Sequence, residues 1–175
     1  KFLYYKRWYF MDSIFAPWRK QYVCSASDKP TQNERTCIFC DFPAINDDEK
    51  HLIVYRGEFN FVILNAFPYN SGHLMVVPFR HVSDFTELSL EETSEMTAIA
   101  QKAISALKIL MNPDGFNMGM NLGKAAGAGI EQHLHLHIVP RWEGDTNFMP
   151  IVGEVKVISE ALLSTWSRLK EIWPK

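Results

Sequence analysis

Cysteine is scarce in this chain, with three among 175 residues. That number is odd and too small for a disulfide framework. It favours a reducing compartment, and a cytoplasmic location is expected. Net charge is also small. Eighteen Lys and Arg stand against 20 Asp and Glu, a formal net charge of −2. Coating nucleic acid needs a basic surface, so nucleic acid is not expected as a partner. A local cationic pocket for a small polyanion stays open. Long hydrophobic runs are missing as well, and no stretch approaches the ~20 residues of a membrane span. Lys6 and Arg7 interrupt the aromatic opening KFLYYKRWYF, so a signal peptide is not expected there. Internal repeats and low-complexity tracts are absent. What is present is ordinary for a globular chain: 47% hydrophobic and 22% charged residues. The length suits one self-supporting domain. We read residues 1–13 as an extension and 14–175 as that domain.

Periodicity then orders the chain. Segments 52–56 and 59–64 are strand-like and separated by Gly57-Glu58, which predicts a hairpin. Further strands are expected at 73–78, 116–121 and 133–139. Ser89 followed by Glu92 is a capping box that opens a helix. Met96, Ile99, Ala100, Ala103, Leu107 and Leu110 form its apolar face, and Asn112-Pro113-Asp114-Gly115 stops it. A last helix is expected over 159–173, with Leu162, Trp166, Leu169 and Trp173 on one side. Two main helices, about five strands and no βαβ alternation predict an α+β domain with an antiparallel sheet.

The sharpest motif is His133-Leu134-His135-Leu136-His137-Ile138-Val139-Pro140. On a strand, side chains alternate, so all three imidazoles should share one face and the apolar residues the other. Such a row could be a solvated polar face, a metal site or a nucleophile with helpers. Residues 133 and 137 would stand roughly 13 Å apart along a strand, so all three rings would hardly reach one ion, though one or two could. A neutral imidazole can attack phosphorus and form a covalent intermediate. The preceding loop, Asn121-Leu122-Gly123-Lys124-Ala125-Ala126-Gly127-Ala128-Gly129, offers backbone N–H groups and one cation. Such loops cradle phosphate. Its position before a histidine strand favours phosphorus as the target.

Cys37-x-x-Cys40 could be a zinc half-site, a redox pair or two core thiols. No thioredoxin-like βαβ pattern surrounds it, which disfavours redox chemistry. Cys24 reads as a small buried hydrophobe. A structural zinc needs four ligands. Spacing alone does not choose the others among His51, His73, His81 and His133.

HLHLHIV matches the His-x-His-x-His signature of the histidine triad (HIT) family of nucleotide hydrolases and transferases. NAFPYNSGHLMVVP at 65–78 is similar to the family's upstream segment, and the likeness extends over roughly 14–173. Trp18-Arg19, Phe67-Pro68-Tyr69-Asn70, GFNMGMNLGKAAGAG and above all PRWEGDTNFMP resemble the bacterial branch that phosphorolyses diadenosine tetraphosphate. The resemblance implies a HIT-like antiparallel sheet and a catalytic pair, His135 as nucleophile with His137 beside it. Attack on the α-phosphorus would release ATP and leave a nucleotidyl-histidine. Phosphate would then give ADP, whereas water would give AMP. It further implies that His73 assists at the phosphates, that Asn121, Gly127, Ala128 and Gly129 form the phosphate turn, and that Lys124 adds a cationic contact. Asn65 would contact the ribose.

Family hydrolases often carry Gln or Ser just before the triad. This chain has Gly129 and Ile130 there, in a loop one residue longer. That leaves the second acceptor open between phosphate and water. Some bacterial members bind structural zinc through residues matching Cys37, Cys40, His81 and His133. His51 is then left as a solvated residue at a strand edge. Trp142, Asp145, Asn147 and Phe148 look like markers of the branch and could order a strap over the second nucleotide. The family is commonly homodimeric, so a homodimer is expected. Two rival readings remain: a hydrolase of dinucleoside polyphosphates or nucleoside phosphoramidates, and a zinc-stabilised nucleotide-binding module without turnover.

Overall fold

Gly57 marks the tightest point of the first hairpin. A Cβ there would lie 2.5 Å from the Glu95 Oε1, so only glycine lets the carboxylate in. Glu95 then accepts hydrogen bonds from the N–H groups of Glu58, Phe59 and Asn60 at 2.6, 2.8 and 2.8 Å, and from Asn60 Nδ2 at 2.9 Å. One carboxylate thus satisfies a turn whose donors would otherwise lack partners. The strands it joins are β1 (Ile53–Arg56) and β2 (Asn60–Leu64).

The computed structural model describes residues 37–145 and 160–174. A short helix, α1 (Ile38–Ala44), precedes the hairpin, and β3 (Leu74–Pro78) follows it. Then come α2 (Leu90–Met111), β4 (Gly115–Gly119), β5 (Leu136–Arg141) and α3 (Leu162–Ile172). The strands form one antiparallel sheet of five in the order β1-β2-β3-β5-β4. The α+β expectation holds, with α1 as an additional helix. The strand expected over 116–121 is β4, and it ends at Gly119. Among the described residues no helix is long and apolar enough to cross a membrane. The expected N-terminal extension, Cys24, Trp18-Arg19, Asn147 and Phe148 lie outside the described residues; the last helix, expected from 159, begins at Leu162 with Ala161 as its N-cap.

Strand alternation divides the core in two. Val62, Leu64, Leu74, Val76 and Ile138 face α2 and α3, against Met96, Ile99, Ala103, Leu107 and Leu169. Phe61, Ile63, Met75 and Val77 face the other way, with Phe39 of α1 among them. Both faces are covered, so every residue of β2 and β3 is buried. The α2 capping box forms as read. Glu92 N–H donates to Ser89 Oγ at 3.2 Å, and Ser89 N–H donates to Glu92 Oε2 at 2.7 Å. Arg80 grips the same carboxylate through Nε and Nη2, both at 2.8 Å. That pairing holds the Glu92 carboxyl down at about 2. In α3, Leu169 is fully buried, and Trp166 Nε1 donates to the Ile53 carbonyl at 2.9 Å.

Candidate active site and metal centre

The histidine motif does not lie on one strand. Leu134 N–H donates to the Val82 carbonyl at 2.8 Å, which ties this stretch to the segment after β3 rather than to the ladder. β5 begins only at Leu136, so His137 alone is in the sheet, opposite Met75. This corrects the expected strand over 133–139. All three imidazoles are nevertheless buried. The His135 and His137 rings meet edge to face at 4.8 Å. His133 turns away, toward the cysteines. The Phe39 ring touches both His133 and His135, at 5.5 and 5.2 Å.

The hydrogen-bond partners fix each tautomer, because a carbonyl can only accept and a backbone N–H can only donate. His133 Nε2 donates to the Pro78 carbonyl at 2.8 Å, so its Nδ1 carries a lone pair. His135 Nδ1 donates to the His133 carbonyl at 2.9 Å, so its Nε2 carries a lone pair. Tyr69 N–H donates to His73 Nδ1 at 3.1 Å. His73 therefore donates from Nε2 to His137 Nδ1, at 2.9 Å, and the hydrogen of His137 sits on Nε2. One face thus presents a nucleophilic nitrogen on His135 beside an N–H donor on His137. Burial pushes both His133 and His135 below their ordinary value of 6.5, which favours neutral rings.

The β2–β3 loop supports this relay. Asn65 Nδ2 lies 3.3 Å from His73 Nδ1, and its Oδ1 accepts from Phe67 N–H at 2.9 Å. Asn65 is therefore a partner of His73, beside the ribose role expected of it. Tyr69 tilts over His73 and His137, with ring centroids 4.6 and 5.5 Å away. A hollow of about 210 Å³ lined by Tyr69, Asn117, Val139 and Arg141 opens beside it. A larger groove, about 470 Å³, is lined by Ser83–Phe85 on one side and Leu122, Gly123, Glu131 and Gln132 on the other.

In the candidate phosphate loop, Asn121 is half-buried and Lys124 exposed at the start of a single 3₁₀ turn. Gly127 closes that turn with φ +87, in the left-handed region glycine favours. Its N–H and that of Ala128 donate to the carbonyls of Lys124 and Gly123, at 2.9 and 3.4 Å. These two amides serve the turn itself. Gly129 follows, exposed, with no side chain to obstruct a ligand.

The four expected metal ligands converge. The ligand atoms of Cys37, Cys40, His81 and His133 all lie within 4.8 Å of one another. α1 makes this local: Cys37 is its N-cap and Cys40 stands one turn on. Cys37 Sγ is 3.3 Å from His133 Nδ1, Cys40 Sγ is 3.6 Å from the same atom, and Cys40 Sγ is 3.3 Å from His81 Nδ1. Tetrahedral zinc with Cys and His ligands sets neighbouring ligand atoms roughly 3.3–3.8 Å apart. His133 turns its lone pair into the cluster, as a ligand must. Burial, with Cys37 beside it, pushes the Cys40 thiol up to about 11, so thiolate charge here calls for a cation. The residues fit a divalent metal.

His51 departs from its expected place at a solvated strand edge. It is half-buried, its ring stacks on Phe42 at 4.3 Å, and its Nε2 is enclosed. Sequence reading missed Phe39 and Tyr69 as site residues. Each had a local signal, Phe39 lying inside the Cys-x-x-Cys and Tyr69 inside FPYN.

An antiparallel five-stranded sheet with a buried histidine cluster at its centre defines the class. The HIT domain model matches residues 46–144, and the chain belongs to the histidine triad family. It is 41% identical over 168 residues to the AP-4-A phosphorylase of Mycobacterium tuberculosis, covering 94% of this chain and 86% of that protein. An uncharacterised HIT-like protein of Methanocaldococcus jannaschii is 38% identical over 120 residues, 69% of this chain and 89% of the relative. Among solved structures, a zinc-bound histidine triad family protein of Mycobacterium smegmatis superposes with a TM-score of 0.64. It is 28% identical and covers 78% of this chain and 91% of its own.

Proposed function

We propose that this protein is a nucleotidyltransferase that splits diadenosine tetraphosphate with phosphate into ADP and ATP. The observation that carries this reading is the tautomer pair: a lone pair on His135 Nε2 beside a hydrogen on His137 Nε2. His135 Nε2 attacks the α-phosphorus, and the bond to the bridging oxygen breaks, releasing ATP. The ring is then a nucleotidyl-imidazolium. Its Nδ1–H already points at the His133 carbonyl, which stabilises the developing positive charge. A phosphate oxygen next attacks the same phosphorus, the P–N bond breaks, ADP leaves and neutral His135 returns. His137 donates to a phosphoryl oxygen as negative charge builds, and His73 fixes its tautomer. Asn121, Lys124 and the turn Gly127-Ala128-Gly129 are assigned to the polyphosphate, the Gly127 and Ala128 amides shaping the turn rather than binding, and Asn65 is assigned to the ribose. The 41% identity to the M. tuberculosis phosphorylase supports phosphate as the acceptor.

Cys37, Cys40, His81 and His133 would hold zinc, which supplies structural cross-linking of α1, the β3 end and the triad segment. The reading extends to one domain from residue 14 onward, a homodimer and a cytoplasmic location. The test is to incubate the protein with diadenosine tetraphosphate, with and without phosphate, and resolve the products. ADP with ATP, formed only with phosphate, is expected. AMP with ATP in the absence of phosphate would replace this reading with hydrolysis. Binding without turnover would leave a nucleotide-binding module.

A further inference from the structure

The run after the triad, Pro140-Arg141-Trp142-Glu143-Gly144-Asp145, contributes nothing to the chemistry above. It nevertheless holds a carboxylate whose oxygens are both engaged. Asp145 Oδ2 accepts from Arg141 Nε at 2.6 Å, Asn70 Nδ2 at 2.8 Å and Trp142 N–H at 3.1 Å. Oδ1 accepts from Arg141 Nη2 at 2.7 Å. The Asp145 side chain is 10% exposed. A carboxylate so occupied does not suit substrate binding, and its charge would repel a polyphosphate. Its partners point elsewhere. Arg141 is anchored to the sheet, with Nη1 donating to Asn117 Oδ1 at 2.6 Å. Asn70 belongs to the β2–β3 loop, and its Nδ2 also donates to the Pro140 carbonyl at 3.1 Å.

Asn70 is next in sequence to Tyr69, whose N–H makes His73 Nδ1 an acceptor. The Asn70 carbonyl also accepts from His73 N–H at 3.2 Å. We propose that Asp145 is a positioning residue: through Asn70 it pins the β2–β3 loop to the end of β5, so that Tyr69 N–H sets the His73 tautomer and thereby places the hydrogen of His137 on Nε2. The proposal rests on the nucleotidyl-transfer reading for its kinetic consequence, and on geometry alone for its structural one. A charged acceptor is required because three donors converge on one oxygen. Without it the β2–β3 loop is released, and the two donors it aims at His73 Nδ1, Tyr69 N–H and Asn65 Nδ2, both shift. The His73 hydrogen can then sit on Nδ1, and His137 turns a bare lone pair toward phosphoryl oxygens. That repulsion falls where charge grows, in the transition state.

The test uses the full chain with Asp145→Ala, Asp145→Asn, Asn70→Ala and the double alanine variant. Two readouts are taken: kinetics with diadenosine tetraphosphate and phosphate, and ¹⁵N imidazole NMR of His73 and His137. Each alanine variant is expected to lower kcat by up to about a hundredfold, the scale of a misplacement of about 1 Å. KM should stay within about threefold, the pattern of an interaction lost in the transition state. The His137 signal should move from Nε2–H toward Nδ1–H. The double variant should be no worse than the more impaired single one, and Asp145→Asn, which keeps an oxygen for Asn70, should recover part of the rate. Additive losses, or a lost rate with an unchanged His137 tautomer, would overturn the proposal. If the unaltered protein showed no turnover, the transferase reading would fall while the tautomer shift still decided the role of Asp145.

Discussion

His133 performs two tasks with different parts of one residue. Its Nδ1 faces the cysteines, and its carbonyl accepts the Nδ1–H of His135. The candidate metal cluster and the proposed nucleophile therefore share a backbone segment. Replacing Cys37 by Ser removes one of the four converging ligands. Bound zinc should fall from about one per chain to well below that, since a structural site needs its full ligand set. Metal analysis of the purified variant checks this, and unchanged zinc content would refute the assigned site. The sequence pointed to these four candidate ligands only through likeness to the family, because spacing alone left four histidines open. It also placed His133 on a regular strand. The Leu134 bond to Val82 defeats that reading, and no local pattern announces such a long-range bond.

Elements with strong local signals were legible in advance. α2 carries a capping box, a regular apolar face and a stop signal, and the structure has all three. α1 was invisible for the opposite reason. It has seven residues, contains Pro43 and is too short to be stable alone. It exists because Phe39 is buried against the sheet. The α2 cap also predicts an acid response. Glu92 is depressed in the folded state from its ordinary 4.5 to about 2. Its contribution is therefore complete above the unfolded value and fades as pH falls from about 4.5 to 2. Glu92→Gln keeps an oxygen for Ser89 N–H but loses the ion pair with Arg80, and should cost roughly 1 kcal/mol near neutrality, the scale of a part-exposed ion pair. The gap to the unaltered protein should close across that acid range. Denaturant unfolding at several pH values measures it, and a gap independent of pH would contradict the pairing with Arg80.

At the scale of the molecule, the sheet separates stability from chemistry. One face packs α2 and α3 into the larger core. The other carries His137 opposite Met75, with Phe39 and the cysteines of α1 near the triad. The order β3-β5-β4 sets β5 between neighbours, so His137 is held from both sides, by Met75 and Gly119. The alternation in Leu136–Ile138 separated an imidazole face from an apolar one in advance, whereas β2 and β3 are near-continuous apolar runs whose division between two faces shows only after folding. The hydrogen-bond relay was not readable, because it depends on which atoms of Tyr69, His73 and His137 meet after folding. The central claim is that His135 forms a covalent bond to the nucleotide. Its most direct test is intact and peptide mass spectrometry after brief mixing with diadenosine tetraphosphate without phosphate. An adenylyl group on His135, absent from His135→Ala and discharged as ADP on adding phosphate, is the predicted result. No adduct in a protein that still turns over, or turnover retained by His135→Ala, would contradict it.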